Sequence, residues 1–182
     1  GYVEARDIRG EDYYVISVIG DGALTGGMAF EALNNASNLK TNFIIVLNDN
    51  EMSISKNVGG ISSYLGNLRT AEGYNDLKIE VKKGLNRIPG IGPATVKKIH
   101  KAKDSMKRLL IPGMFFEDMG ITYLGPINGH DCARMIQVFQ EARKIQGPVL
   151  VHVKTEKGRG YEPAMRHPAR FHGTAAFDLE HG

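Results

Sequence analysis

DYYVISVI, residues 12–19, runs straight into Gly20-Asp21-Gly22, and the reading of that junction decides the fold. β-branched and aromatic residues over this length make a strand, and the glycine ends it. Leu24 to Ala36 follows, rich in Ala, Leu, Met and Glu. Its apolar residues at Leu24, Met28, Phe30 and Leu33 suit a helix packed on a sheet. Phe43 to Leu47 (FIIVL) is uninterrupted apolar, as expected of a strand buried on both faces of a parallel sheet. Strand, helix and strand make a right-handed βαβ crossover. A second unit follows: a strand from Ile121 to Leu124, a helix from its cap at Asp131 through Ile145, a stop at Gly147-Pro148, and a buried strand from Val149 to Lys154. The predicted fold is α/β, a mainly parallel sheet with helices on both faces.

The intervening stretches are less patterned. Residues 53–75 are rich in Ser, Gly and Asn and read as a long loop. Residues 76–110 read as short basic helices broken at Pro89-Gly90-Ile91-Gly92-Pro93, a helical insertion in the domain. Pro112 to Met119 suggests another short helix, and the tail from Gly158 to Gly182 has no strong pattern.

The bulk composition excludes several classes. The 182 residues suffice for one domain with a core, and 42% hydrophobic with 24% charged content is ordinary for a globular protein. No apolar run approaches the roughly 20 residues of a membrane span. Net charge is +3, with ten Lys/Arg against two acids between Lys78 and Arg108, so the rest is net acidic. A single cysteine, Cys132, excludes an internal disulfide and points to a reducing, cytoplasmic setting. Without an initiator Met or a signal-peptide pattern, the chain is expected to be an internal piece of a longer protein.

Gly20-Asp21-Gly22 and Asn50 are separated so that an acid and an amide oxygen fall at the carboxyl ends of two neighbouring parallel strands, where ligands of such sheets gather. Gly20 and Gly22 let a phosphate approach the backbone. A helix opening near Ala23-Leu24 would offer it free N–H groups. Mg²⁺ takes six oxygens, commonly a carboxylate, diphosphate oxygens and water. Asp21 Oδ and Asn50 Oδ1 would supply two, and the Met52 carbonyl is the natural third. The bland alternative is a turn and a polar strand end. A dinucleotide loop is disfavoured because G-x-G-x-x-G would need glycine at position 25, which is Thr25.

VIGDGALTGGMAFEALNNA (18–36) and VLNDNEMSIS (46–55) resemble the 1-deoxy-D-xylulose-5-phosphate synthase family, thiamine-diphosphate enzymes related to transketolase. LIPGMFFEDMG (110–120), YLGPINGHD (123–131) and KTEKGRGYEPA (154–164) agree, so the likeness runs in order over nearly the whole chain. The resemblance implies that Asp21, Asn50 and Met52 hold Mg²⁺ and that Gly22 and Ala23 touch the diphosphate. It implies that Asn50 and Tyr161 contact the coenzyme and that His172, in RFHGTAAFD, stands near the substrates. Two positions depart from the family pattern: Asn128 replaces the usual Asp before Gly-His130, and the usual proline is missing after His172. The family reaction joins pyruvate, after loss of CO₂, to D-glyceraldehyde 3-phosphate, for isoprenoid, thiamine and pyridoxal precursors; the coenzyme supplies the electron sink. Residues 1–182 would be the diphosphate and Mg²⁺ half of the coenzyme-binding domain of a cytoplasmic homodimer. The half that contacts the pyrimidine ring lies outside, so the chain alone is expected to be inactive and to bind the coenzyme weakly.

Two other readings stand beside this one. The chain could serve another transketolase-like enzyme. LNRIPGIGPATVKKI (85–99) resembles a helix-hairpin-helix, which holds DNA backbone without reading bases; an amphipathic basic hairpin with solvated charges is preferred, and no nucleic-acid partner is expected. Of the histidines, His152 lies in an apolar strand and reads as a core or cleft-wall residue, whereas His100, His167 and His181 read as solvated. Cys132 opens a helix and reads as a small buried residue.

Overall fold

The structure, a computed structural model, describes residues 1–52, 58–70 and 114–180. Their order is α1 (Tyr2–Arg9), β1 (Ile16–Gly20), α2 (Asp21–Leu24), α3 (Gly27–Ala36), β2 (Phe43–Asp49) and α4 (Gly60–Thr70). Then come α5 (Met114–Asp118), β3 (Thr122–Asn128), α6 (Cys132–Ala142), β4 (Pro148–Lys154) and α7 (Glu162–Arg166).

The four strands form one all-parallel sheet in the order β1-β2-β4-β3. Parallel strands need crossovers, and right-handed crossovers change face when the chain reverses direction across the sheet. The chain reverses once, between β3 and β4. Accordingly α3, α4 and α5 cover one face, with Leu33, Leu65, Leu68 and Phe116 on Ile45, Leu47 and Leu150. The other face carries α6, with Val138 and Ala142 on Ile44, Val46, Val149 and Val151. Leu47 and Leu150, fully buried in the central strands, each contribute about 1.5–3 kcal/mol through burial. The predicted α/β architecture with helices on both faces is the one found.

Several boundaries differ from expectation. β1 begins at Ile16, because Asp12 to Val15 form the approach to the sheet. As an edge strand it leaves Val18 70% exposed on the α6 face. The single helix expected over 24–36 is two: Gly26, extended at φ −79° and ψ 142°, ends one and caps the next. Met28 consequently points outward, 82% exposed, while Leu33 and Ala36 pack inward. β3 continues past Leu124 to Asn128 through a bulge and a cis Gly125-Pro126 bond. Gly125 is required there: its φ is +142°, and a Cβ would lie 2.6 Å from the His152 carbonyl oxygen. Part of the expected loop over 53–75 is helix α4, whose Leu65 and Leu68 bury against the sheet despite weak periodicity. The unpatterned tail contains α7, begun by Pro163 in its first turn. The expected Asp131 cap is present, its Oδ1 accepting Arg134 N–H at 2.9 Å. The helical insertion at 76–110 and the hairpin at 85–99 lie outside the described residues. No helix among the described residues is long and apolar enough to cross a membrane.

Candidate functional site

β1 and β2 deliver the first group of candidate residues together. Gly20 pairs in register with Asn48, so Asp21 follows β1 while Asp49 ends β2 and Asn50 follows it, all at the carboxyl edge. Asp21 is not before a helix but at its first residue: α2 opens there and lasts four residues. That corrects the helix start expected near Ala23-Leu24. So short a helix has little macrodipole to offer an anion, and backbone access at Gly22 and Ala23 is what remains. Gly22 is half-buried and Ala23 exposed.

The Asp21 carboxyl is 3% exposed and shares a side-chain hydrogen bond with Asp49. Burial, and then the neighbouring Asp49 charge, push it above the ordinary carboxylate value. Burial pushes Asp49 up as well, but the His152 hydrogen bond and the Arg69 charge outweigh it and hold that carboxyl below its ordinary value. The distances explain the asymmetry. His152 Nε2 lies 2.8 Å from Asp49 Oδ2, and Arg69 Nη1 lies 2.8 Å from Asp49 Oδ1. Asp49 is thus the acid that meets both Arg69 and His152, and Asp21 meets Asp49.

Asn50 and Met52 occupy the turn after β2. Asn50 Oδ1 accepts Met52 N–H at 3.1 Å, and Asp49 Oδ1 accepts Glu51 N–H at 3.2 Å. Glu51 between them has φ +61°, the only positive φ of a non-glycine residue among those described. A cleft of about 230 Å³ opens beside the turn, lined by Asp21, Asp49, Glu51, Ser62, Gly66 and Arg69. No three His, Cys, Asp or Glu side chains among the described residues gather as a metal cage. A cation here would need other oxygens.

Tyr161 and His172 belong to a different group. Tyr161 Oη donates to Leu179 O at 3.1 Å, and its ring packs against Phe171 and Phe177. His172 Nδ1 accepts from Lys157 Nζ at 2.5 Å and is exposed. Their hydrogen-bond and ring contacts are with the carboxyl-terminal segment, not with Asp21 or Asn50. His130 Nε2 accepts Glu156 N–H at 2.9 Å, joining the loops after β3 and β4. His152 is in the core as expected and His167 is exposed; His100 and His181 lie outside the described residues. Cys132 is exposed at the start of α6, where a buried residue was expected.

Sequence reasoning missed Asp49, Arg69 and Tyr123. Asp49 and His152 did leave a signal, since each is an ionisable residue on or next to an uninterrupted apolar strand run. Arg69 left none, because its helix has a weak pattern.

The sequence as a whole is similar to known proteins. A profile of 1-deoxy-D-xylulose-5-phosphate synthase matches residues 1–155. The 1-deoxy-D-xylulose-5-phosphate synthase of Desulfitobacterium hafniense (strain DSM 10664 / DCB-2) is 58% identical over 178 residues, 98% of this chain and 28% of that protein. That of Pelotomaculum thermopropionicum is 56% identical over 182 residues, all of this chain and 28% of that protein. That of Caldanaerobacter subterraneus subsp. tengcongensis is 54% identical over 182 residues, again all of this chain and 29% of that protein. The chain thus spans between a quarter and a third of the length of the relatives it matches. With the profile covering the strands, the Asp21 edge and the Asn50 turn alike, the chain belongs to the 1-deoxy-D-xylulose-5-phosphate synthase family.

Proposed function

We propose that this chain is the diphosphate- and Mg²⁺-holding part of a thiamine-diphosphate-dependent synthase. The enzyme condenses pyruvate, with loss of CO₂, and D-glyceraldehyde 3-phosphate, feeding isoprenoid, thiamine and pyridoxal precursors. The observation that carries the reading is Asp21: a buried acid at the carboxyl edge of a parallel sheet, lining the cleft beside the Asn50 turn.

The donors fit a hard cation. Mg²⁺ takes oxygen ligands and keeps several non-protein ones. Asp21 brings a carboxylate, and Asn50 Oδ1 has a second lone pair beyond the one facing Met52 N–H. The Met52 carbonyl brings a third oxygen. The absence of a carboxylate cage among the described residues agrees with a site completed by diphosphate and water. Gly22 and Ala23 would meet the diphosphate through the backbone, and Tyr161 would contact the coenzyme from the segment after β4. His172 would stand towards the substrates, its Nδ1 kept as an acceptor by the Lys157 ammonium.

When bound, the coenzyme supplies the electron sink that stabilises the carbanion left after decarboxylation. Asp21 and Asn50 are anchors in this reading and exchange no proton with substrate. A cytoplasmic homodimer is the assembly proposed for the full-length enzyme. Asp21→Ala in that enzyme is expected to abolish Mg²⁺-dependent binding of thiamine diphosphate, measured by titration calorimetry with and without the metal. Unchanged affinity would sink the assignment. Nothing described favours a DNA-binding role; titrating duplex DNA at two salt concentrations would reveal one through a log K that falls by ~0.9 per neutralised phosphate.

A further inference from the structure

Three residues outside the proposed ligand set form one connected row that reaches Asp21. Tyr123 Oη lies 2.7 Å from His152 Nδ1, and His152 Nε2 lies 2.8 Å from Asp49 Oδ2. Asp49 in turn meets Asp21. The row passes through β3, β4 and β2 to the residue after β1, which is the spatial order of the strands. Tyr123, His152 and Asp49 are each 1% exposed or less, on a sheet face whose other buried residues are apolar. A buried polar row is favourable only when its members satisfy one another.

The row ends on the backbone of the Asn50 turn. Asp49 Oδ1 takes Glu51 N–H at 3.2 Å and Arg69 Nη1 at 2.8 Å. Arg69 Nη1 also donates to Asp49 O at 2.9 Å, and its Nε lies 3.0 Å from Glu51 Oε1. Lys154 Nζ donates to Arg69 O at 3.1 Å, tying the end of α4 to β4. Arg69 thus grips Glu51 by its side chain while Asp49 grips it by its N–H. Glu51 is also the residue held at φ +61°, where a side chain is disfavoured and the surroundings must impose the conformation.

We propose that Asp49, clamped between His152 and Arg69, is the positioning residue of the Mg²⁺–diphosphate site, and that it acts by holding Glu51 left-handed and so setting the Asn50–Met52 turn. The proposal rests on the reading of Asp21, Asn50 and Met52 as the cation set. Residues that orient metal ligands without touching the metal typically change metal affinity 10–100-fold when replaced. A merely structural group would change melting of the metal-free protein and leave the affinity of the folded fraction alone.

The test uses the full-length enzyme with Mn²⁺ as the probe. Its dissociation constant is read by electron paramagnetic resonance in the presence of thiamine diphosphate, with metal-free melting as control. Arg69→Met and Asp49→Asn are expected to raise that constant about 10–100-fold. Glu51→Gly added to Arg69→Met is expected to recover most of the loss, because glycine adopts positive φ freely. Should Asp49→Asn fail to fold, Arg69→Met carries the test, since Arg69 is only partly buried. Wild-type Mn²⁺ affinity in Arg69→Met overturns the proposal, and so does a loss that Glu51→Gly leaves untouched. Mn²⁺ affinity unchanged by Asp21→Ala overturns the coenzyme reading instead, which keeps the two failures distinguishable.

Discussion

The two ends of the same four strands are both rich in polar contacts, yet they are built differently. At the amino end, side chains bond mainly to backbone. Arg6, almost wholly buried, donates to Tyr13 O at 3.1 Å and Asn42 O at 2.9 Å. Asn42 Nδ2 donates to Ala142 O and Ile145 O, closing the end of α6. At the carboxyl end, ionisable side chains bond to one another: Tyr123, His152, Asp49, Arg69 and Asp21. Side chain-to-backbone bonds tie elements together and answer carbonyls that would otherwise be orphaned. A connected set of ionisable groups beside an open cleft also holds charge in place, which a ligand can use. The amino end is a joint and the carboxyl end is a seat.

The sharpest way to break that comparison is at the centre of the row. His152→Ala leaves Tyr123 Oη and Asp49 Oδ2 without their partner and opens a cavity between them, so a loss of about 3–5 kcal/mol is expected by urea unfolding. A loss under ~1 kcal/mol would mean that the row is not a closed hydrogen-bonded unit.

Arg6→Ala probes the joint. Two charged hydrogen bonds to carbonyls are removed, and about 1.5–3 kcal/mol of stability should go with them. Mn²⁺ affinity of the folded enzyme should not move. If it did, the two ends would not be separable.

The smallest effect concerns Asp7, which also belongs to the joint. The Thr41 hydroxyl donates to its Oδ2 at 2.6 Å, and together with the Arg6 guanidinium it holds the carboxyl below its ordinary value. Near pH 4 the folded chain therefore binds fewer protons at Asp7 than the unfolded chain does. The contribution is complete above the unfolded carboxylate value of ~3.9 and is lost as pH falls through the folded one. Asp7→Asn should accordingly make stability fall less steeply on the acid side, as followed by thermal melts from pH 6 downward. An unchanged acid slope would remove Asp7 from the joint.

The parallel core and the candidate anchors could be read along the chain because both are local. FIIVL is an uninterrupted apolar run and VLVHVK is apolar but for His152 and the closing Lys154, a pattern of strands covered on both faces, and both became central strands. Asp21, Gly22 and Asn50 sit directly after their strands, so finding the strands located them. The split between α2 and α3 was less visible, since Leu24 to Ala36 has good helix formers throughout and the break depends on an extended backbone at Gly26. Helix α4 was read as loop because its Ser, Gly and Asn content hides Leu65 and Leu68, whose burial only a finished sheet can reward.

What no window along the chain could show is the clamp. Asp49 and His152 are 103 residues apart, Asp49 and Arg69 are 20 apart, and Tyr123 and His152 are 29 apart. Their meeting follows from strand order: β4 returns to lie between β2 and β3, which sets His152 between Asp49 and Tyr123. Local sequence, through strand length, apolarity and the glycines at the junction, decided which residues stand at the sheet's edge. Tertiary structure decided that Asp49 meets Arg69 and His152, because charge pairing acts through space and the fold sets those distances.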